Sequence, residues 1–361
     1  MVFFYFTLVF LYSIFNIYFA NIAYLAILCK DIIVNGKFPV APNKLAQLSY
    51  LLFIVWTTIS TIAYSMETGE LTARIIIQFV FTVMYFVLIV PIKFNIEKFE
   101  LWTYRFSLLM SLFILLLYIY YYMSSPNLLA DDLWASRYIP GWPNSTPYPL
   151  LMGIWLSFRK NFHISGKAIL FVGLFLTGSR IALLGGLIII FYFLLKRMKY
   201  KKSYAVYVIM FITVGVLGIN YMISKDPLFI MKMTVSWDRV DIFYTTMSYL
   251  EHRPFLGFGG NTIDQLTHIE ISHMPAKNWG HTHNWVLEML LRYGIIGMLL
   301  FTVFIVSIFV KIKDKEKRFM FAFLLALALF QTYIRDFVFL FYLLYLSTNT
   351  DKGYIKKEQT I

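Results

Sequence analysis

The sequence predicts an all-α protein, a polytopic transmembrane helical bundle of about 11 spans, within a range of about 10 to 12, with one large extracytoplasmic loop that contains short helices. Of its 361 residues, 60% are hydrophobic and only 14% are charged, and the mean hydropathy is +0.69. Soluble domains carry about a quarter charged residues, so a soluble fold would leave much of this apolar surface in water. A lipid bilayer removes that cost, which makes an integral membrane protein the predicted class.

Apolar runs near the ~20 residues that a spanning helix needs occur along most of the chain. The run 2–29 is too long for a signal-peptide core and lacks a small-residue cleavage site, so we expect it to remain as the first span. Runs 146–158, 166–178 and 337–348 are short, and we expect tilted, broken or re-entrant helices there. The full set of candidate spans is 2–29, 45–64, 72–92, 101–123, 146–158, 166–178, 181–195, 203–223, 287–310, 319–334 and 337–348.

Lysine and arginine are concentrated in alternate connections between these spans. The net charge of +13 therefore indicates the positive-inside bias of a membrane protein rather than a nucleic-acid-binding surface. The N-terminus is then expected outside and the C-terminus in the cytoplasm. The loops assigned to the cytoplasm are 30–44, 93–105, 159–167, 196–202 and 311–318, together with the tail 351–361, and they hold most of the 32 basic residues.

This topology divides the chain into four predicted regions. Residues 1–223 contain transmembrane helices 1–8, 224–286 form the large extracytoplasmic loop, 287–350 contain the C-terminal spans and 351–361 form the cytoplasmic tail. The loop is rich in aromatic residues, which can pack together, so we expect it to be ordered. Cys29 is the one cysteine, which excludes an intrachain disulfide.

The large loop is expected to hold a helix at 236–252, followed by a turn rich in proline and glycine. Arg239, near the start of that helix, offers a planar guanidinium that suits a phosphate. The alternative for Arg239 is a salt bridge with Asp238 or Asp241. Arg253, at the end of the helix, is a further candidate for substrate binding.

The chain reads Gly178-Ser179-Arg180 just before the span 181–195. Ser179 can cap a helix N-terminus, where anions are favoured, and Arg180 adds a positive charge at the membrane edge. The alternative is an interfacial arginine whose side chain extends to lipid headgroups. The motif alone favours neither interpretation of Arg180.

The large loop ends in Gly280-His281-Thr282-His283-Asn284-Trp285, and Glu288 follows. His283 is a candidate general base, because an imidazole titrates near operating pH. His281, Asn284 and Glu288 are candidate substrate contacts, while the plainer alternative is a capping loop with Asn284 as N-cap. A zinc site including His273 is also conceivable, but the ligand spacing does not favour it.

The earlier outer loop, 124–146, contains Arg137 and Asn144 among prolines and aromatic residues. Its aromatic rings could stack on sugar faces, and a structured loop without a ligand is the equal alternative. Several nucleotide- and ion-binding signatures are missing: a Walker A loop, an Asp-x-Asp triplet and a run of acidic residues inside the spans. A transporter or flippase would be expected to show mid-membrane charges and repeated halves, and the sequence shows few of the first and none of the second.

In this order, the motifs resemble those of the O-antigen ligase and O-antigen polymerase superfamily of membrane glycosyltransferases. The resemblance extends from about residue 130 to residue 300, and its histidine–glycine part is the more specific. It is carried by Arg137, Gly141, Pro143, Asn144, Gly178, Ser179, Arg180, Arg239, Pro254, Gly257, Gly259, His281, His283, Asn284, Leu287, Glu288, Gly294 and Gly297.

The resemblance implies a metal-independent, cofactor-free and inverting glycosyl transfer on the outer face of the bacterial cytoplasmic membrane. The implied donor is an oligosaccharide on undecaprenyl diphosphate, with Arg180 and Arg239 binding the diphosphate and His283 acting as base. A polysaccharide flippase and a chain-length regulator are candidate partners. A polymerase of O-antigen or capsule repeat units and an O-antigen ligase both fit, and a composition rich in Lys, Ile, Phe and Tyr leans toward the polymerase.

Overall fold

The computed structural model describes residues 44–69, 96–124, 147–177, 179–197, 237–259, 266, 284–329, 342–343 and 345–347. Across these ranges the secondary structure is helical, with no strand. The main helices are α1 (Lys44–Thr68), α2 (Ile96–Ser124), α3 (Pro147–Arg159), α4 (Ile164–Leu176), α5 (Arg180–Arg197), α6 (Trp237–His252), α7 (Trp285–Lys311) and α8 (Lys315–Ala328).

These helices confirm the all-α class, and all of them except α6 overlap a predicted span; the number of spans that cross the membrane stays a prediction. Among the described helices, three are long and apolar enough to cross a membrane, namely α1, the 99–120 part of α2, and α7. Helices α4 and α5 are apolar but shorter. The predicted spans 2–29, 72–92 and 203–223, most of 337–348 and residues 125–146 of the outer loop lie outside the described residues.

Helix α1 shows how an apolar run tolerates hydroxyl groups inside a membrane. It carries no charged residue between Lys44 and Glu67. Several of its internal hydroxyls donate to carbonyls of their own helix, as Thr61 Oγ1 does to Thr57 at 2.7 Å and Ser65 Oγ does to Thr61 at 2.9 Å. A hydroxyl satisfied in this way costs little in an apolar surrounding.

Helix α1 packs lengthwise against α7 through aromatic rings. The Tyr50 and Phe304 ring centroids are 4.7 Å apart, and those of Phe53 and Phe301 are 5.2 Å apart. Because the early part of α1 meets the late part of α7, the two helices run antiparallel.

Helices α2, α3 and α4 approach closely through small residues. A Cβ added at Gly153 of α3 would lie 2.4 Å from Ser107 Cβ of α2. One added at Gly173 of α4 would lie 2.7 Å from Ser111 Cα. Small residues at such crossings let backbones pack tightly in lipid, where apolar burial drives little association. Helix α3 is buried from residue 147 to 157 and forms the centre of this group.

The ends of four helices, α2, α3, α5 and α8, meet in a cluster of charged side chains, here called the basal cluster. Arg159 lies 2.8 Å from Asp314, and Lys160 lies 2.6 Å from Glu100. Its members are Glu100, Arg159, Lys160, Lys196, Asp314, Glu316 and Lys317. The described residues of the basic loops 93–105, 159–167, 196–202 and 311–318 that belong to this cluster therefore lie at one end of the bundle.

Burial and neighbouring charges alter two pKa values in the basal cluster. Burial alone would raise the pKa of Asp314, but the Arg159 charge and the backbone N–H groups of Lys317 and Glu316 lower it overall. Burial, together with the Arg159 charge, lowers the pKa of Lys317 to about 8. The cluster thus holds one stabilised carboxylate and one lysine whose charged form is disfavoured.

Candidate active site

Helix α7 is broken at Gly294, which corrects the predicted single span 287–310. Gly294 has φ 65° and ψ −171°, a conformation that is essentially restricted to glycine. The break separates a first segment, 285–293, from a second, 295–311. Sixteen positions along a straight helix would cover about 24 Å, yet the Trp285 and Phe301 ring centroids are 6.1 Å apart. The first segment therefore folds back beside the second.

The turn 254–259, which follows α6, fills the break in α7. The backbone N–H of Ile295 donates to the Pro254 carbonyl at 2.8 Å, and the N–H of Phe258 donates to the Leu291 carbonyl at 2.9 Å. The turn predicted after α6 thus has a specific partner forty residues later in the chain. We call this assembly of the turn and the break the α7 joint.

Helix α1 completes the α7 joint with two side chains. Trp56 Nε1 donates to the Tyr293 carbonyl at 2.8 Å. Ser60 Oγ donates to the Leu256 carbonyl at 2.5 Å, lies 3.2 Å from the Arg292 carbonyl and accepts from the Gly259 N–H at 3.2 Å. The carbonyls that a helix end leaves unpaired are therefore satisfied by other parts of the protein.

Glycine is required at two points of the joint because backbones touch there. A Cβ at Gly294 would lie 2.1 Å from the Phe255 carbonyl oxygen, and one at Gly257 would lie 2.5 Å from the Arg292 carbonyl carbon. Both glycines also have positive φ. Gly257 and Gly294, two of the glycines that carry the family resemblance, therefore allow the turn and the break in α7 to come into contact.

Helix α6 packs over the joint through a small apolar cluster. The cluster contains Tyr64, Ile242, Tyr249, Phe258, Leu266 and Leu291. Tyr249 Oη donates to the Leu266 carbonyl at 3.0 Å, and burial raises the pKa of this phenol. The helix expected at 236–252 is thereby confirmed as an ordered part of the bundle, at Trp237–His252.

Two arginines near the joint are paired with carboxylates. Arg292 is 0% exposed and Glu288 is 1% exposed, and Arg292 Nε donates to Glu288 Oε1 at 2.5 Å. Arg253 forms an ion pair with Glu67 and lies over the Tyr64 ring at 5.3 Å. Glu288 and Arg253 were both expected to contact substrate; the structure shows a protein partner for each, and the substrate contacts stay a prediction.

Ser179 and Asn284 act as helix caps. Ser179 Oγ accepts from the Ala182 N–H at 3.3 Å, as expected for the start of α5. Asn284 Oδ1 accepts from the N–H groups of Val286 and Leu287, which confirms the capping role considered for it.

The structure gives the backbone positions of the two arginines that were predicted to bind the diphosphate. Arg180 is the first residue of α5, and Arg239 lies in the first turn of α6. Helix α5 ends at the basal cluster through Lys196, and α7 leads to that cluster through Asp314. The start of α5 and the α7 joint therefore both lie away from the basal cluster. Arg137, Asn144, His281 and His283 lie outside the described residues.

Sequence reasoning did not identify Trp56 and Ser60 as parts of this region. No motif marks them, because Ser60 resembles any other hydroxyl in an apolar run. The one available signal is the crowding of Thr57, Thr58, Ser60 and Thr61 within a single predicted span.

Comparison with known proteins connects this region to a family. Residues 166–302 match the family model described as O-antigen ligase. That segment begins in α4, includes α5, α6 and the joint, and ends in the second segment of α7. No curated protein matches the chain. Together with its apolar helices, the match identifies an integral membrane protein and confirms, over residues 166–302, the resemblance to the O-antigen ligase and polymerase superfamily.

Proposed function

We propose that this protein transfers a glycan from undecaprenyl diphosphate to a sugar hydroxyl on the outer face of a bacterial cytoplasmic membrane. The observation that carries the proposal is the family match over residues 166–302, which takes in the α7 joint and the start of α5. It supports a glycosyltransferase-like enzyme, and the lipid-linked donor is our extension of it.

The arrangement of helix ends supports a site on the side opposite the basal cluster. The basal cluster gathers the basic loops, and basic loops favour the cytoplasm. The start of α5 and the α7 joint lie away from it, which puts Arg180 and the entry to α7 on the outer side under this assignment. The N-terminus is then outside, the C-terminus in the cytoplasm, and 224–286 forms the outer loop.

In the proposed reaction, an acceptor hydroxyl attacks the anomeric carbon of the donor sugar from the face opposite the diphosphate. The new glycosidic bond forms as the bond to the diphosphate oxygen breaks, so the configuration inverts. His283 takes the hydroxyl proton, and the bond electrons leave with the lipid diphosphate. Negative charge on that leaving group is stabilised by Arg180 and Arg239, which lowers the barrier without a metal ion.

The remaining candidates position these groups. By capping α7, Asn284 fixes the chain immediately after His283, and the buried pair of Glu288 with Arg292 stiffens the segment that follows. We assign glycan contacts to Arg137, Asn144, Ser179, Arg253 and His281.

The experiment replaces His283 with alanine in a strain that depends on this chain for its surface glycan. We expect the lipid-linked glycan to accumulate and the finished product to fall by at least tenfold, since positioned general bases contribute about 100-fold or more. The matched control is His252→Ala, because His252 is exposed at the end of α6 and its Nδ1 lies 2.9 Å from the Ser248 carbonyl. Wild-type product in the His283→Ala strain would contradict the assignment.

The arginine assignment is tested in the same way with Arg180→Ala and Arg239→Ala. Arg105→Ala is the control, because Arg105 is exposed and lies over the Trp102 ring of its own helix at 5.6 Å. We expect loss of product only in the first two variants.

An O-antigen ligase is the second candidate, because the matched family carries that description. Deletion of the gene separates the two activities. Loss of a polymerase leaves single repeats on the normal acceptor, whereas loss of a ligase leaves long chains on the lipid carrier. A flippase is the third candidate, and its loss would leave the lipid-linked repeat on the cytoplasmic face.

A further inference from the structure

The second segment of α7 presents one continuous apolar stripe to its surroundings. The exposed side chains are Ile295, Leu299, Val303, Val306 and Val310. Their spacing of three or four residues places them on one face of the helix. The opposite face packs on α1 through Phe301 and Phe304, so the stripe is turned away from α1, and apolar side chains exposed on a membrane helix suit contact with lipid.

Under the assigned orientation, the α7 joint lies closer to the membrane centre than the outer end of α1. From Lys44 to Glu67, α1 covers about 35 Å, slightly more than the ~30 Å hydrocarbon core. Glu67 is 63% exposed and marks the outer boundary. Ser60, which holds the joint, lies seven residues earlier, or about 10 Å closer to the membrane centre.

The hydrogen bonds of the joint are those that a membrane requires of broken backbone. Non-helical backbone at membrane depth is tolerated only where protein satisfies its polar groups. Here the carbonyls of Leu291, Arg292 and Tyr293 accept from Phe258, Ser60 and Trp56. Arg253 beside the turn directs its guanidinium to Glu67, which keeps its charge at the boundary.

Phe255 is exposed, unlike other residues of the turn. It is 63% exposed, although it sits in a turn whose neighbours Gly257 and Phe258 are buried. The hydrogen bond from the Ile295 N–H to the Pro254 carbonyl at 2.8 Å places the backbone of Phe255 beside Ile295, the first residue of the α7 stripe. An exposed aromatic ring continuous with that stripe suits acyl chains better than water.

We propose that the turn 254–259 is embedded in the outer leaflet and that Phe255 contacts lipid acyl chains, extending the α7 stripe. This contact with lipid does not depend on the reaction that the protein catalyses. Under the proposed function it would keep the entry to α7 at the depth where a lipid-linked diphosphate resides.

The test is site-directed spin labelling of the full chain in phosphatidylcholine–phosphatidylglycerol vesicles, starting from the Cys29→Ser background. Single labels are placed at residue 255 and at residue 295 beside it. Residue 303 on the stripe is the lipid control, and residue 251, exposed at the end of α6, is the water control. Collision rates are measured with oxygen, which partitions into lipid, and with a water-soluble nickel chelate.

We expect residues 255 and 295 to resemble residue 303, with oxygen collisions severalfold more frequent than nickel collisions. Residue 251 should show the reverse ratio. The proposal is overturned if residue 255 resembles residue 251, or if neither reagent reaches it because protein covers the ring. Since no glycan takes part, the result is independent of whether the proposed reaction is right.

Discussion

Replacing Gly294 with alanine tests the α7 joint most severely. The added Cβ would lie 2.1 Å from the Phe255 carbonyl oxygen and 2.3 Å from its carbon, far inside contact distance, and both atoms belong to backbone. The φ of 65° and ψ of −171° cost an alanine about 1–3 kcal/mol. Relief of the clash must move the turn, which sacrifices two backbone hydrogen bonds worth about 0.5–1.5 kcal/mol each.

Together these costs should lower the free energy of unfolding by on the order of 2–6 kcal/mol. The matched control is Gly69→Ala, because Gly69 has φ 68° but, among the described residues, no atom within 4 Å of an added Cβ. That variant isolates the backbone cost, about 1–2 kcal/mol. The assay is the apparent melting temperature of the purified protein in detergent, followed by the loss of the monodisperse peak on heating. A Gly294→Ala protein as stable as Gly69→Ala would refute the joint.

Three further predictions concern stability. Ser60→Ala should cost about 1–3 kcal/mol, because it leaves buried partners unsatisfied; Ser65→Ala, whose hydroxyl bonds only within its own helix, should cost less, and equal melting temperatures would contradict this. Glu288→Met should cost about 3–5 kcal/mol by removing the carboxylate that pairs with the buried Arg292 charge, whereas the double change with Arg292→Met should recover most of it; a double variant as unstable as the single would argue against the pair. Burial lowers the pKa of Lys317 from 10.5 to about 8, so the unfolded chain binds more protons and wild-type stability should rise between pH about 8 and 10; Lys317→Met should flatten that rise, and parallel pH curves would count against it.

The sequence predicted the helices well where the signal is local. The expected helix at 236–252 is found at Trp237–His252, and the spans 166–178 and 181–195 correspond to helices α4 and α5 within about two residues at each end. Apolar runs, turn residues and caps are all encoded within a few neighbouring positions.

The break in α7 could not be predicted in this way. Gly294 sits in an apolar run, and glycine is common in transmembrane helices without breaking them. The break is stable because the turn 254–259 and Ser60 supply hydrogen bonds from distant parts of the chain. Such long-range pairing leaves no local pattern. The family motif marked the glycines, but it did not reveal that they touch.

The candidate site was predictable in part for the same reason. The caps at Ser179 and Asn284 follow from residue type and position, and the Glu288–Arg292 pair follows from helical spacing. The ion pair of Arg253 with Glu67 does not follow from the local sequence, because Glu67 precedes Arg253 by many residues and belongs to another helix.

The most direct test of the proposed function uses purified protein, a lipid-linked glycan donor and a chelator. The wild-type chain should release one polyprenyl diphosphate for each glycosidic bond formed, at an unchanged rate with the chelator present. His283→Ala should release little. Absence of release by the wild-type chain, or equal release by His283→Ala, would contradict the proposed glycosyl transfer.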